Sequence, residues 1–364
     1  MKSPRSGVNR RDLLRLRRMQ GRMADSGSAL PERPTAHATD LLRVHRGGMG
    51  SFFEIRMGAQ VPGGLDLANR ALDVIEALET QLTVYQDDSE VSRLNATAHL
   101  EPVAAEPGLF ALLQRAVELS RLTGGAYDVT SGALSEAWGF VRGPKRVPDP
   151  EVLADAQART GWHHLRLDPE NGTVAFDRPG IRINLGSIGK GYAIDRAVSV
   201  IRNHFFPVSA LVHGGQSSLY ALGSPPGRFG DRWEIAVRNP ARPEAPLGVL
   251  RLRNCGLGTS GGAFQSFVEG GKVYGHILDP RTGEPATGPA SVTVLAPTAA
   301  DADALSTAFF LMGPEAARSY VAAHPDVGIL FVESDHSEGG LKVLTFGLRS
   351  EDFLIGENSV NSIR

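Results

Sequence analysis

Cysteine is almost absent: the 364 residues contain one, Cys255. A single thiol excludes an intrachain disulfide and any thiolate metal cluster. Its setting in the apolar phrase NCGLG predicts a buried structural thiol rather than a nucleophile. Long apolar runs are also missing, and no stretch reaches the roughly 20 residues that a transmembrane helix needs. Nor does one sign of charge dominate. With 38 Lys and Arg against 40 Asp and Glu, no bulk field favours nucleic acid or an anionic membrane. HExxH, CxxC, GxSxG and EF-hand patterns are absent, which removes the commonest readable metal, redox and acyl-transfer sites. What remains is ordinary for a soluble globular protein, 41% hydrophobic and 21% charged.

The amino end, MKSPRSGVNRRDLLRLRRMQGRMADSGS, is strongly basic. Its NRRDLLR resembles a twin-arginine export signal, but LRRMQGRMADSGS stands where the apolar segment should follow, and no early Cys offers a lipid-attachment site. Residues 1–38 are expected to be a disordered basic tail, 39–350 one domain, and 351–364 a C-terminal tail. These signs slightly favour a cytoplasmic location, with export through the twin-arginine-like start as the alternative.

Periodicity places the elements. RVHRGGMGSFFEIRMGA predicts a Gly turn inside or beside an alternating strand. From Leu65 to Val84 a helical face carries Leu67, Ala71, Leu72, Ile75, Leu78 and Leu82. YQDDSEVSRLNA reads as a polar loop leading into a short turn. Gly108 to Thr123 is a second amphipathic helix with Gly124-Gly125 as its C-cap. A helix over 148–160, three short strands near His164, Val174 and Ile181, and a helix beginning near Lys190 come next. Short strands then dominate until SVTVLAP, two helices (DALSTAFFLMG and PEAARSYVAAH) and the strand DVGILFVES. Helices mixed with short, mostly antiparallel strands predict an α+β fold in one compact unit with subdomains.

Chemistry concentrates in phrases that are weak singly. Thr259 and Ser260 precede a Gly-Gly turn, where hydroxyls and backbone N–H groups can face an anion. His276, on an expected strand, precedes a DPRTG turn. Asp303 and Thr307, four apart on a helix, place a carboxylate above a hydroxyl, hard-oxygen ligation that suits Mg²⁺. INLGSIGKGYAID ends a strand in a Gly turn and starts a helix near Lys190, where N–H groups and an ammonium attract phosphate. Each has a structural explanation as well: a tight turn with a solvated Lys, a satisfied strand His, a chance Asp-x-x-x-Thr pair. In GGAYDVTSGALSEAWGF, Asp128 could only cap the next helix and Trp138 could only be core. VHGGQSSLYALG needs no ligand beyond a hairpin. Counted together, the turns, the Lys, the His and the Asp/Thr pair point to a Mg²⁺-dependent site for a phosphate-bearing ligand, without identifying that ligand.

The ordered set MGSFFEI, SEVSRLN, GGAYDVTSGALSEAWGF, INLGSIGKGYAID, LVHGGQSSLYALG, TSGG, HILDPRTGEP and ADALSTAFFLMG resembles the ApbE family, the FAD:protein FMN transferases, from about Arg43 to Gly347. The resemblance implies a T-fold-like α+β architecture. It also implies an enzyme that splits FAD at its pyrophosphate, passes FMN to a Thr hydroxyl of an acceptor protein, and releases AMP. By similarity, Asp303, Thr307 and the Gly189 carbonyl would hold Mg²⁺, and Lys190 would lie beside the FAD phosphates. Met49, Tyr85, Ala126, Tyr127 and Asp128 would line the flavin nucleotide. His276 would activate the acceptor hydroxyl or orient the pyrophosphate, while Asp279, Arg281 and Thr282 would shape the turn that places it. The implied partner is an acceptor with a short motif around its Thr, often a subunit of a membrane redox complex. Two departures stand out: Asn184-Leu185 where the family usually has Asp-Leu, and Gly262-Ala263-Phe264 after TSG where a polar residue and Tyr are common. Mg²⁺-dependent hydrolysis of FAD to FMN and AMP, and FAD binding without turnover, are the alternatives.

Overall fold

The structure, a computed structural model, describes residues 40–227, 230–242, 244–261, 266–335, 340–356 and 362–363. The expected basic tail and the Gly262-Ala263-Phe264 departure lie outside the described residues. A nine-stranded sheet forms the centre, and its strands lie side by side in chain order: Leu41–Gly48, Ser51–Gly58, Ala210–Gly214, Ser218–Leu222, Cys255–Ser260, Ser291–Ala296, Gly328–Asp335, Gly340–Phe346 and Ser362–Ile363. All neighbours are antiparallel except the last pair. The other helices and strands described below are inserted between these strands.

Strand alternation gives the sheet two buried faces. On one, Phe53, Ile55, Met57, Val292, Val294 and Phe331 meet the helices. On the other, Leu211, Leu219, Leu257, Leu330, Val332 and Val343 meet Trp233, Leu247, Leu250 and Leu252. The latter belong to a second sheet, Trp233–Arg238, Pro246–Leu252 and Phe353–Ile355. Residues 353–355, placed by the sequence in a tail, are thus its edge strand. A third small sheet joins Val103–Ala104, Thr173–Phe176 and Leu165–Asp168. Ile181 lies outside these strands; beside it, Arg182 makes a single bridge to Ser131.

Seven helices occur among the described residues: α1 Gly64–Leu82, α2 Glu90–Thr97, α3 Pro107–Leu122, α4 Gly132–Ala137, α5 Pro150–Ala158, α6 Gly189–Arg202 and α7 Ala299–Ala323. In α1 the six apolar positions named above are all buried. Helix α3 has Pro107 in its first turn, and Gly124 and Gly125 follow its end at φ 58° and 79°, the left-handed closure that glycine permits. The expected loop around Glu90 is instead helix α2, because the Ser89 hydroxyl accepts from the Ser92 N–H (3.0 Å) and Val91 and Leu94 are buried. Helix α7 contains both helices expected there, broken at Gly313 (φ 78°) before Pro314. Proline cannot donate to the preceding turn.

Glycine sets how closely α7 approaches the sheet. A Cβ at Gly256 would overlap the backbone of Thr298 and Ala299, and one at Gly258 would overlap that of Ala302 and Asp303. At the same strand's end, Ser260 meets Ser306 and Thr307. Two strand residues advance about 6.8 Å and four helical residues about 6 Å, so strand and helix stay in step from Gly256 to Ser260. Gly191 makes the matching approach of α6 to Ala299. Gly258→Ala should therefore destabilise the protein by about 1–3 kcal/mol through overpacking, read by urea unfolding. An unchanged midpoint would remove this account of how α7 is seated.

Candidate functional site

One end of the central sheet gathers the Gly-rich turns. The first two strands join through Met49-Gly50, both in the left-handed region (φ 48° and 68°), as a type I′ hairpin demands. Glycine adopts this freely, whereas a residue with a Cβ is disfavoured by about 1 kcal/mol. Met49 is thus held in a strained turn, partly buried against the main core. Beside it, the Gly215 N–H donates to the Phe52 carbonyl (2.7 Å), and the Thr259 N–H donates to the Ser217 carbonyl (2.7 Å). The Lys190 ammonium, in the first turn of α6, donates to the Ser217 hydroxyl (2.6 Å).

Behind these turns lies Asp303, 7% exposed. Its Oδ2 accepts from the Gly191 N–H (2.7 Å). Burial pushes its carboxyl up to about 7, although Lys190, the Ser218 hydroxyl and the Gly191 N–H all favour the anion. One turn on, the Thr307 hydroxyl lies 3.4 Å from the Asp303 carbonyl and 3.2 Å from the Ser260 hydroxyl, which also meets Ser306 at 2.8 Å. Gly189, the first residue of α6, is buried. Asp303, Thr307, Lys190 and the start of α6 are therefore brought together. Thr259 does not join them: its hydroxyl pairs with that of Thr293 (2.9 Å) inside the sheet.

The Ala126–Asp128 run is buried. Among the described residues the Tyr127 hydroxyl has no hydrogen-bond partner. Its phenol is raised by burial first and then by the fields of Asp128, Asp301 and Asp303. Asp128 does not cap the helix that follows it, α4. Its oxygens accept from the Thr130 N–H (2.8 Å), the Thr130 hydroxyl (2.6 Å) and the Trp162 N–H (2.8 Å), and burial nevertheless raises its carboxyl. Tyr85 is 64% exposed on the loop after α1. Its neighbour Val84 lines a cavity of about 240 Å³ with Arg142, Arg182 and Asn184. That volume lies below the ~300–1,000 Å³ of drug-sized pockets. The Asn184 side-chain oxygen accepts from the Gly186 N–H (2.9 Å), so the amide shapes the Gly turn much as a carboxylate could.

His276 is not within a strand. It sits at a bend directly after the strand Lys272–Gly275, its ring edge-on to Phe140 with centroids 6.5 Å apart. Phe140 belongs to an aromatic cluster with Trp138, Phe267 and Tyr274. Trp138 is core, and its indole N–H donates to the Gly283 carbonyl (2.8 Å), tying down the turn after His276. In that turn Arg281 grips both oxygens of Asp279 (2.8 and 2.7 Å), and the Gly283 N–H donates to the Asp279 carbonyl (2.7 Å). These residues shape the loop.

Asp195 and Arg115 hold roles that no sequence motif marks. The Asp195 carboxylate accepts from the Ala299 and Ala300 N–H groups (both 2.9 Å) and so caps α7 from α6; burial pushes it up to about 6. Arg115 binds Asp301 through two bonds of 2.8 and 3.0 Å. Neither pairing has a local sequence signal, since the partners are 104 and 186 residues apart. Cys255 is partly buried, and burial pushes its thiol up to about 11, away from the thiolate form a nucleophile needs.

Among the described residues no three His, Cys, Asp or Glu side chains cluster as metal ligands, and no helix is long and apolar enough to cross a membrane. The donor chemistry seen here is one buried carboxylate with neighbouring hydroxyls. That set matches a hard cation completed by water and phosphate oxygens, and not a zinc cage.

A scan against family models matches the ApbE family over residues 49–331. The FAD:protein FMN transferase of Treponema pallidum is 34% identical over 296 residues, which cover 77% of this chain and 80% of that protein. The FAD:protein FMN transferase of Escherichia coli K12 is 29% identical over 304 residues, 80% and 84% of the two chains. Among solved structures, the ApbE protein of Thermotoga maritima matches with TM-score 0.74 at 30% identity, over 83% of this chain and 96% of its own. The flavin transferase ApbE of Vibrio cholerae gives 0.74 at 28%, over 84% and 97%.

Proposed function

Since the chain belongs to the ApbE family of enzymes, we propose that it transfers FMN from FAD to a Thr hydroxyl of an acceptor protein, with Mg²⁺, and releases AMP. The observation that carries this reading is the buried Asp303 carboxylate, set beside the Lys190 ammonium and the Thr307 hydroxyl at the end of the sheet where the Gly turns meet. A carboxyl raised to about 7 lacks enough positive charge around its anion, and a bound cation would supply it.

In this reading Asp303, Thr307 and the Gly189 carbonyl hold the metal. When bound, Mg²⁺ neutralises pyrophosphate oxygens and the charge that builds on the departing phosphate. Lys190 adds a point charge to the same phosphates, its ammonium steadied by Ser217. Met49, Tyr85 and the Ala126–Asp128 run line the flavin nucleotide. His276 takes the proton of the acceptor Thr as its oxygen bonds to the FMN phosphorus. The bond from that phosphorus to the bridging oxygen breaks, and AMP leaves with the oxygen.

The metal part of this reading has a direct test. AMP release from FAD should stop in excess EDTA and return when Mg²⁺ is restored. Release that continues unchanged in EDTA would leave Asp303 and Thr307 without the role assigned here.

A further inference from the structure

The segment between Ser260 and Ser291 contains a two-stranded ribbon, Ser266–Glu269 against Lys272–Gly275, turned by Gly270-Gly271 with both residues at positive φ (58° and 78°). Its inner face packs: Phe267 and Tyr274 lie opposite each other, stacked with centroids 5.2 Å apart, and both contact Trp138. The outer face presents the cross-strand pair Val268 and Val273, which are 67% and 65% exposed. Among the described residues no third strand pairs with this ribbon. A two-stranded ribbon with an exposed apolar pair, and with edges that pair with no other strand among the described residues, is a ready template for strand addition.

Three features identify what would cover it. The strand Lys272–Gly275 runs directly into His276, so a chain paired along this edge, about 4.8 Å away, would deliver its next residues to the imidazole. Positive charge flanks the ribbon: the Lys272 ammonium lies 5.0 Å from the Tyr274 ring centre, and that of Lys145 lies 5.6 Å from the Phe140 ring centre. Glu269, the acidic side chain of the ribbon, already accepts from the Val147 N–H (3.1 Å).

We propose that the acceptor protein docks here, adding an extended segment with acidic side chains along Lys272–Gly275 so that its Thr meets His276. The Val268–Val273 pair supports the segment from one face, and Lys272 and Lys145 engage its carboxylates. The proposal rests on the transferase reading, and the experiment separates the two.

The probes are an acceptor domain whose Thr is flanked by Asp and Glu, and the same domain with those residues replaced by Asn and Gln. The proteins are the full chain, the Val268→Glu/Val273→Glu double variant and Lys272→Glu. FAD binding, FAD-to-acceptor transfer, and acceptor binding without turnover are measured for each. The double variant should raise the acceptor KM and Kd at least about tenfold, while kcat and FAD affinity stay within about twofold. Lys272→Glu should weaken the acidic domain and spare the amide domain. Equal acceptor Kd and KM in all three proteins would overturn the docking face, even with transfer intact. If the full chain binds the domain but transfers nothing, the transferase reading fails for that acceptor, and the Kd comparison still decides the docking face.

Discussion

Asp303→Asn should lose Mg²⁺-dependent AMP release by about 10²- to 10³-fold or more and yet, without metal, be more stable than the parent protein at pH 8. Both halves follow from one carboxyl raised from 3.8 to about 7, chiefly by burial. In the metal-free folded state the group keeps its proton up to about pH 7, whereas the unfolded chain releases it near 4. Folded protein therefore binds the extra proton in that window, and this group's contribution to stability falls as pH rises from about 4 to about 7. Above pH 7 the full penalty is present, on the order of 4 kcal/mol for a shift of about three units. An amide carries no such penalty and can still accept from the Gly191 N–H. Thermal melts in EDTA should show the variant above the parent at pH 8 and the difference closing by pH 4. A variant less stable than the parent at pH 8 would mean that Asp303 is a structural carboxylate after all.

His276→Ala should cut flavin transfer to the acceptor by about 10²–10⁴-fold, the usual range for a lost general base, with FAD affinity nearly unchanged. The imidazole is placed by its own neighbourhood, edge-on to Phe140 and followed by a turn that Asp279, Arg281 and the Trp138–Gly283 bond hold rigid. Removing the ring leaves Lys190, Asp303 and Thr307 in position, so the loss should fall on kcat. Transfer at the parental rate in this variant would exclude His276 as the base, and a loss confined to the KM for FAD would make it a binding residue.

Local periodicity made much of the fold legible. The buried stripe of α1, the glycine closure of α3 and the break at Gly313-Pro314 each depend on residues within one or two turns. The ordered motifs carried the family. Two elements were misread because their signals are short: Ser89 caps α2 with only eight helical residues behind it, and His276 follows a strand of only four. The Asp195 cap, the Arg115–Asp301 pair and the overlap-avoiding glycines Gly191, Gly256 and Gly258 could not be read locally. Each is a tertiary contact, and its partner becomes apparent only once α6, α7 and the Cys255–Ser260 strand lie together. Asn184 shows the reverse case. It looked like a lost charge, but its side-chain oxygen turns the chain at Gly186, a task that needs an acceptor and not an anion.

The most direct test of the transferase account is the ratio of AMP released to flavin covalently bound on a Thr-bearing acceptor domain, with FAD and Mg²⁺, by chromatography and intact-mass measurement. The account predicts one AMP for each FMN attached, with no attachment when the acceptor Thr is replaced by Ala. AMP and free FMN accumulating while the acceptor stays unlabelled would contradict it and make the protein a hydrolase of FAD.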